Sequence, residues 1–241
     1  ALGTQSEHPL TDHFPEGSAG MDEGTLELVD DFIESQVEYG FSGAQLVVIK
    51  DGQLVKDKAY GCVNGYRQDL SRIMPGDTEY KKVTTDTLFD LASNTKMYAV
   101  NYALQYLVTQ GKVDLGTKIA DVIGQQFVDD TIDITYPDYV NPGLETNKSW
   151  KSSLTIRDIL RHQGGCAASP HYDNDRFDQK IQKLTDIDGI NILYSGSDGS
   201  METRENTLEG ICRTPLMYEP GTKTLYSDVD YMLLDFVIEK I

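Results

Sequence analysis

Ser93, Asn94, Thr95 and Lys96 place a hydroxyl and an amine three residues apart in the sequence. On an α-helix this spacing puts both side chains on one face, about 4.5 Å apart along the axis. A serine hydroxyl becomes a nucleophile when a base removes its proton, and a lysine can be that base where its environment lowers its pKa. The pair therefore predicts acyl transfer through a covalent intermediate on Ser93.

The sequence around this pair favours a catalytic role over the alternative of a capping serine and a surface lysine. Ser93 follows the largely hydrophobic approach 88–92 and precedes apolar residues at helical spacing: Met97, Val100, Leu104, Leu107 and Val108. The helix predicted there ends at Gly111. At the start of a helix, the dipole and the free N–H groups favour negative charge on the serine oxygen and on a substrate oxyanion.

Three segments of the chain are expected to position this pair. Residues 1–24 are rich in Gly, Pro, Ser, Thr and acids, which predicts a flexible leader. Residues 25–63 predict a helix ending near Gly40 and a β-hairpin whose turn is Asp51-Gly52. Residues 64–241 predict a long loop and then a helical, loop-rich part that carries Ser93, with later helices at 155–163, 203–213 and 228–240.

Composition excludes several classes of function. Thirty-nine acidic residues against 21 basic ones give a net charge of -18, which repels phosphate backbones, so no nucleic-acid partner is expected. No apolar run approaches the roughly 20 residues of a membrane-spanning helix, so no integral membrane segment is predicted. Three widely spaced cysteines, Cys62, Cys166 and Cys212, are expected to be buried thiols rather than zinc ligands or disulfides.

Two motifs carry a resemblance to a known family. The segment 89–96, Phe-Asp-Leu-Ala-Ser-Asn-Thr-Lys, resembles the first motif of class C β-lactamase-type penicillin-binding proteins, in the serine β-lactamase and penicillin-binding protein superfamily. Tyr226-Ser227-Asp228 is similar to their second motif, usually Tyr-x-Asn. The resemblance runs from about residue 26 to the last residue, through landmarks at 111–115, 154–162 and 218–221. Residues 226–232 resemble the subgroup called penicillin-binding protein 4B.

The resemblance implies an α/β fold of the β-lactamase/transpeptidase type, with a mixed α-helical region and an antiparallel sheet. It also implies a third motif, Lys or His followed by Thr-Gly, on a strand that lines the opposite wall of the cleft. No such tripeptide occurs in the sequence, which ends at Glu239-Lys240-Ile241 inside a predicted helix. We therefore expect an N-terminal portion that lacks the C-terminal sheet strands and that is, by itself, an impaired catalyst.

By resemblance, Ser93 is the nucleophile, and Lys96 and Tyr226 share the base and acid duties. Asp228 and Asn94 are expected to contact the substrate. Asp228 stands where the family has Asn; an ionised carboxylate only accepts hydrogen bonds, so this change removes an NH₂ donor. One alternative is that Asp228 only caps the helix that follows. No cofactor and no metal are implied.

The resemblance implies a serine hydrolase that forms an acyl-Ser93 intermediate: a D-alanyl-D-alanine carboxypeptidase, a β-lactamase or an esterase. The expected partners are small molecules or peptidoglycan peptides, β-lactams, and the missing C-terminal segment. The expected location is the cell envelope or the outside of the cell. One alternative is a penicillin or muropeptide sensor that is acylated without turnover, and another is an inactive scaffold.

Other chemistries find less support in the sequence. A Ser-His-Asp hydrolase of the G-x-S-x-G type is not indicated, since no serine has that pattern. His162, at a predicted helix end, is interpreted as structural, and His171 as a surface loop residue. The acidic turns 186–189 and 197–199 do not fit calcium-loop spacing.

Overall fold

The structure, a computed structural model, describes residues 14–137, 139 and 141–241. The chain divides into two compact units, one up to Asp90 and one from Leu91 to Ile241. In chain order, the elements of the first unit are α1 (Glu23–Tyr39), β1 (Gly43–Lys50) and β2 (Gln53–Gly61). Those of the second are a π-helical segment (Lys96–Asn101), α2 (Tyr102–Thr109), α3 (Ile119–Ile123), α4 (Gln126–Asp129), α5 (Leu144–Ser153), α6 (Ile156–Leu160), β3 (Phe177–Asp178), β4 (Lys183–Leu184), α7 (Met201–Arg213) and α8 (Asp228–Lys240).

A helix and an antiparallel hairpin form the centre of the first unit. The carboxylate of Asp22 accepts a hydrogen bond from the backbone N–H of Thr25 at 2.7 Å and so caps α1. The turn between β1 and β2 places Asp51 and Gly52 at φ of 51° and 73°. Two successive left-handed residues define the type I′ turn, whose twist suits a two-residue hairpin. The structure thus has the hairpin that the sequence predicts.

The polar loop after β2 belongs to the first unit. The backbone N–H of Val63 donates to the carbonyl of Lys81, and that of Val83 donates to the carbonyl of Gly61. Within the loop, the Arg67 guanidinium pairs with the carboxylates of Asp77 and Glu79 at 2.8 and 3.1 Å. The sequence groups residues 64–90 with the helical part. In the structure they belong instead to the first unit, with the hairpin.

The predicted leader, residues 1–24, falls only in part within the described residues. Residues 1–13 lie outside them. Further along, the backbone N–H of Leu54 donates to the carbonyl of Pro15, and that of Gly17 donates to the carbonyl of Leu54. Residues 15–17 therefore pair with β2, and α1 begins soon afterwards at Glu23.

Helix α8 lies at the centre of the second unit. Its side chains Leu233, Leu234 and Val237 are completely buried, and it packs against the π-helical segment and against α2, α3, α6 and α7. A helix that is apolar on most of its sides is typical of a protein core. The sequence predicts this helix at 228–240, and the structure has it at Asp228–Lys240. All three cysteines are buried free thiols, as the sequence predicts. In the part of the chain that the structure describes, none of the helices has the length and apolar composition of a membrane-spanning segment.

Helix α5 escapes sequence prediction because its buried face is polar. Asn147 and Lys151 are 2% and 1% exposed, so the usual apolar periodicity is absent. The Nζ atom of Lys151 donates to the carbonyl of Cys212 at 2.6 Å and to the hydroxyl of Thr131 at 3.1 Å. Burial lowers the pKa of Lys151 to about 7, so the folded protein holds this amine largely neutral above that pH.

We expect Lys151→Met to flatten the pH dependence of the free energy of unfolding. Between pH 7 and the ordinary lysine pKa of 10.5, the unfolded chain binds a proton that the folded chain does not. Stability therefore rises with pH in this window, by at most about 1.4 kcal/mol per pH unit. Urea denaturation of the purified protein from pH 7 to 10 measures this slope.

Ser152→Met is the matched control, because it adds the same side chain on the exposed side of α5 and removes no amine. The control should keep the slope of the unsubstituted protein. An equal slope in Lys151→Met would show that Lys151 does not titrate on unfolding.

Candidate active site

A tight turn presents Ser93 at the start of its helix. The preceding residue, Ala92, has a φ of 43°, a left-handed conformation that is strained for a residue with a Cβ. The backbone N–H groups of Asn94, Thr95 and Lys96 donate to the carbonyls of Leu91, Ala92 and Ser93. These three amides are therefore engaged, and they do not serve as the free oxyanion donors that the sequence suggests.

The helix after Ser93 opens with a π-helical segment, Lys96–Asn101, and continues as α2. The sequence predicts regular α-helix here, because apolar spacing does not distinguish a wide turn from a regular one. Short π-helical stretches within helices are frequent at functional sites. The Ser93 and Lys96 side chains are in contact, as the sequence predicts: Nζ of Lys96 lies 3.2 Å from Oγ of Ser93.

Lys96 is the centre of the polar cluster. Its Nζ atom lies 2.7 Å from Oδ1 of Asp228 and 4.8 Å from the centre of the Tyr226 ring. The side chain is 14% exposed. Burial by itself would lower the pKa of Lys96, but hydrogen bonds with Asp228 and Tyr226 outweigh it and raise that pKa above 10.5. Lys96 is therefore an ammonium ion at neutral pH.

The pKa of Tyr226 is shifted in the opposite direction to that of Lys96. Hydrogen bonds with Lys96 and then with Ser93 lower the pKa of its phenol below the ordinary value of 10, since a nearby cation stabilises the phenolate. The Tyr226 side chain is about half exposed. Of Lys96 and Tyr226, the phenol is thus the group whose proton is made easier to remove.

Asp228 is the first residue of α8. The helix is capped by Ser227, whose hydroxyl accepts a hydrogen bond from the backbone N–H of Asp230 at 3.4 Å. The alternative that Asp228 only caps this helix is therefore wrong. Its carboxylate is 41% exposed and directed to Lys96, and a negative charge at a helix N-terminus is favourable.

The structure brings together four of the five residues that the sequence selects. Ser93, Lys96, Tyr226 and Asp228 form one cluster. Asn94 instead lines an exposed groove along the helix with Met97, Tyr98, Asn101, Tyr102 and Gln105. In the part of the chain that the structure describes, no group of three His, Cys, Asp or Glu side chains is arranged to hold a metal ion.

His162 also lies against this cluster, which the sequence did not indicate. Its ring centre is 4.6 Å from that of Tyr226, and its Nδ1 atom contacts Asp230 and the backbone of Ser227. The contact with Ser227 spans 65 residues of sequence, so no local pattern could reveal it. The other candidate, His171, lies in a loop with its ring against Phe177.

Comparison with known proteins agrees with this geometry. The model of the family described as "Beta-lactamase" matches residues 29–241. A protein of Escherichia coli (strain K12), provisionally named a D-alanyl-D-alanine carboxypeptidase, is 39% identical over 232 residues. That match includes 96% of this chain but 45% of the relative. The chain thus spans slightly less than half the length of this relative.

Solved structures share the fold at low sequence identity. EstCE1, a hydrolase with promiscuous acyltransferase activity, matches with a TM-score of 0.58 and 19% identity, over 91% of this chain and 48% of that one. D-amino acid amidase from Ochrobactrum anthropi SV3 matches with a TM-score of 0.53 and 19% identity, over 89% and 45%. These likenesses confirm the β-lactamase/transpeptidase-like fold, with helices and small antiparallel sheets; the class C subgroup stays a prediction. The family model, which covers most of the sequence, shows that this chain belongs to the Beta-lactamase family.

Proposed function

We propose that this chain carries the acylating residues of a serine acyl hydrolase, with Ser93 as the nucleophile. The observation that carries the proposal is the contact of Lys96 with both Ser93 and Asp228, at 3.2 and 2.7 Å, beside the Tyr226 ring. Acyl transfer through a covalent intermediate requires a nucleophile with an adjacent proton acceptor, and here Lys96 supplies a cation that stabilises the acceptor.

Tyr226 is the base in this mechanism and Lys96 is the cation that supports it. An ammonium ion has no lone pair with which to accept a proton, and the Asp228 carboxylate holds Lys96 in that form. The Tyr226 phenolate takes the proton from Oγ of Ser93 as that oxygen attacks the substrate carbonyl. Before this step, the negative charge on the phenolate is faced by Lys96, which stabilises the deprotonated form. As the proton moves, that charge passes to the oxygen of the tetrahedral intermediate.

The same groups then complete the cycle. As the tetrahedral intermediate collapses, the bond to the leaving group breaks, and Tyr226 returns its proton to the departing nitrogen or oxygen. Water attacks the acyl-Ser93 ester in the second half, giving its proton to Tyr226, and Ser93 recovers its hydrogen as the acid product leaves. Use of one group as base and then as acid in each half is most efficient when its pKa approaches the working pH, and the contacts with Lys96 and Ser93 move the pKa of Tyr226 in that direction.

The proposed substrates are D-alanyl-D-alanine peptides, β-lactams or small esters, handled in the cell envelope or outside the cell. The name of the E. coli relative supports the peptide, and its identity of 39% is high enough to make that suggestion worth testing. Beside Asp228, a cavity of about 220 Å³ is lined by Pro170, Tyr172, Val229 and Met232 among others. Its size suits one side chain of a substrate rather than a whole peptide.

A sensor that is acylated without turnover is not favoured. The relative is named as a carboxypeptidase, which implies hydrolysis by that protein. A pure sensor also has no need for a second proton transfer, whereas Tyr226 is half exposed and reachable by water. An inactive scaffold has no need for Ser93, Lys96 and Tyr226 together.

Ser93→Ala should abolish labelling by a fluorescent penicillin, because the ester can form only on the Ser93 oxygen. The protein at its full natural length is incubated with the probe, and the adduct is followed by intact-mass spectrometry. Rapid loss of the adduct indicates hydrolysis, and a long-lived adduct indicates the sensor.

Ser149→Ala, at an exposed serine of α5, is the matched control and should label normally. Labelling that persists in Ser93→Ala would overturn the assignment of the nucleophile.

Asp228→Asn should move the rising limb of the acylation pH profile to lower pH. The carboxylate raises the pKa of Tyr226 through its charge, so its removal makes the phenolate easier to form. Because the pair is partly exposed, we expect a gain of roughly two- to five-fold in the acylation rate at neutral pH. Stopped-flow fluorescence with the same penicillin measures the rate at each pH.

Asp235→Asn is a closely matched control. Asp235 lies on the same helix and pairs with Arg204 at 2.8 Å, with a carboxylate 47% exposed. The control should leave the profile in place. A profile that moves to higher pH in Asp228→Asn would contradict the charge argument.

A further inference from the structure

A histidine and a buried carboxyl lie directly behind Tyr226. Nδ1 of His162 is 2.9 Å from Oδ2 of Asp230. The same Nδ1 atom is 3.2 Å from the backbone nitrogen of Ser227, which is oriented to donate to it. The imidazole ring contacts the Tyr226 ring on one side and the Tyr231 ring on the other, with centres 4.6 and 5.2 Å apart.

The Ser227 contact decides which atom carries the proton between His162 and Asp230. Ser227 is completely buried, and its N–H can donate to Nδ1 only if that atom has a free lone pair. A buried N–H without a partner is costly, so the arrangement favours an imidazole that carries its hydrogen on Nε2. Oδ2 of Asp230, 2.9 Å from the same atom, must then be a second donor that shares this lone pair with the Ser227 N–H, which requires a protonated carboxyl.

The surroundings of Asp230 fit a neutral acid. The residue is 1% exposed, and in the described part of the chain no lysine or arginine forms an ion pair with it. Oδ1 of Asp230 has no nitrogen or oxygen donor among the described residues. A buried carboxylate oxygen without a donor costs more free energy than the carbonyl oxygen of a neutral acid, so the protonated form is favoured. Burial raises the pKa of Asp230 to about 7, and the Cys166 thiol offsets this only in part.

The charged groups around the His162–Asp230 pair also favour a neutral imidazole. Burial and then the charge of Lys96 lower the pKa of His162, which Asp228 offsets only in part, so a second cation next to Lys96 is disfavoured. The titratable groups that face the pair from the neighbouring elements are Lys96, Cys166, Tyr218, Tyr226, Asp228 and Tyr231.

We propose that His162 is a positioning residue for Tyr226, held in its Nε2–H form by a neutral Asp230 that donates a hydrogen bond to Nδ1. The Ser227 N–H and the ring contact fix the backbone and ring of the 226–227 segment, and with them the phenol next to Ser93. The positioning role rests on the proposed function of Tyr226, whereas the placement of the proton does not.

This arrangement makes the position of Tyr226 depend on pH. When Asp230 loses its proton, the stable pairing places the imidazole hydrogen on Nδ1, where it donates to the carboxylate. The Ser227 N–H then faces another N–H and loses its acceptor. The support for Tyr226 should therefore be complete at low pH and weaken as the pH rises through about 7.

Two substitutions at Asp230 separate a neutral donor from a carboxylate. Asp230→Ala removes the donor to Nδ1 and should slow acylation of the full-length protein by fluorescent penicillin by about ten-fold at pH 6.5. Asp230→Asn replaces the acid by an amide that also donates, so it should restore the rate to within a few-fold of the unsubstituted protein. Because Asn does not titrate, the ratio of the Asn variant's rate to the unsubstituted rate should rise through pH 7.

A spectroscopic measurement tests the proton's place without reference to catalysis. Labelling the full-length protein with ¹⁵N-histidine gives an NMR spectrum in which the signals of His162 are identified by their loss in His162→Gln; residues 1–241 contribute four histidines to it. At pH 6.5 we expect Nδ1 of His162 to be unprotonated, and to stay so in Asp230→Asn. His171, whose loop carries Asp173, serves as the internal reference.

The outcomes are distinct. A protonated Nδ1 at pH 6.5, or a loss of rate in Asp230→Asn as large as that in Asp230→Ala, would overturn the proposal. An unprotonated Nδ1 with normal acylation in Asp230→Ala would retain the proton placement but remove the positioning role. Absence of any Ser93 adduct in the unsubstituted protein would instead count against the proposed function.

Discussion

The ion pair between Lys96 and Asp228, 2.7 Å long, joins the helix that bears the nucleophile to the helix at the centre of the second unit. Asp228 begins α8, and the apolar side chains farther along α8 are fully buried. The position of the carboxylate is therefore set by core packing, which is far stiffer than an exposed loop. Two packed helical elements begin at the same place, one at Lys96 and the other at Asp228. Their common starting point brings together the Ser93 hydroxyl, the Lys96 amine and the Tyr226 phenol.

The carboxylate at position 228 also decides how protons move. Asp228 raises the pKa of Lys96 and so keeps this side chain an ammonium ion, which has no lone pair to accept a proton. The cation then stabilises the Tyr226 phenolate, whose pKa is lowered. A carboxylate at this position lacks the NH₂ donor of an amide, and its charge raises the pKa of Tyr226. Holding Lys96 in its charged form therefore costs some ease of forming the phenolate and a possible contact with a substrate amide.

Local sequence patterns predicted the nucleophile and its helix, because a spacing of three residues is a local property. The Lys96–Asp228 contact spans 132 residues, and only the resemblance of residues 226–228 to a known motif placed it at the site. Helix α5 was missed because its buried face carries Asn147 and Lys151, and apolar periodicity is the signal for a helix. The ring of His162 was interpreted as structural, since nothing in its neighbours indicates contact with Tyr226.

The central claim is that Tyr226 accepts the proton of Ser93 while Lys96 stays charged. The most direct measurement is the acylation rate constant of Tyr226→Phe with a fluorescent penicillin at pH 7, by stopped-flow fluorescence on the full-length protein. Because general base catalysis contributes about 10²- to 10⁴-fold, the account predicts a loss of that size with the ring contact to His162 preserved. A rate within a few-fold of the unsubstituted protein would contradict the account and return the role of base to Lys96.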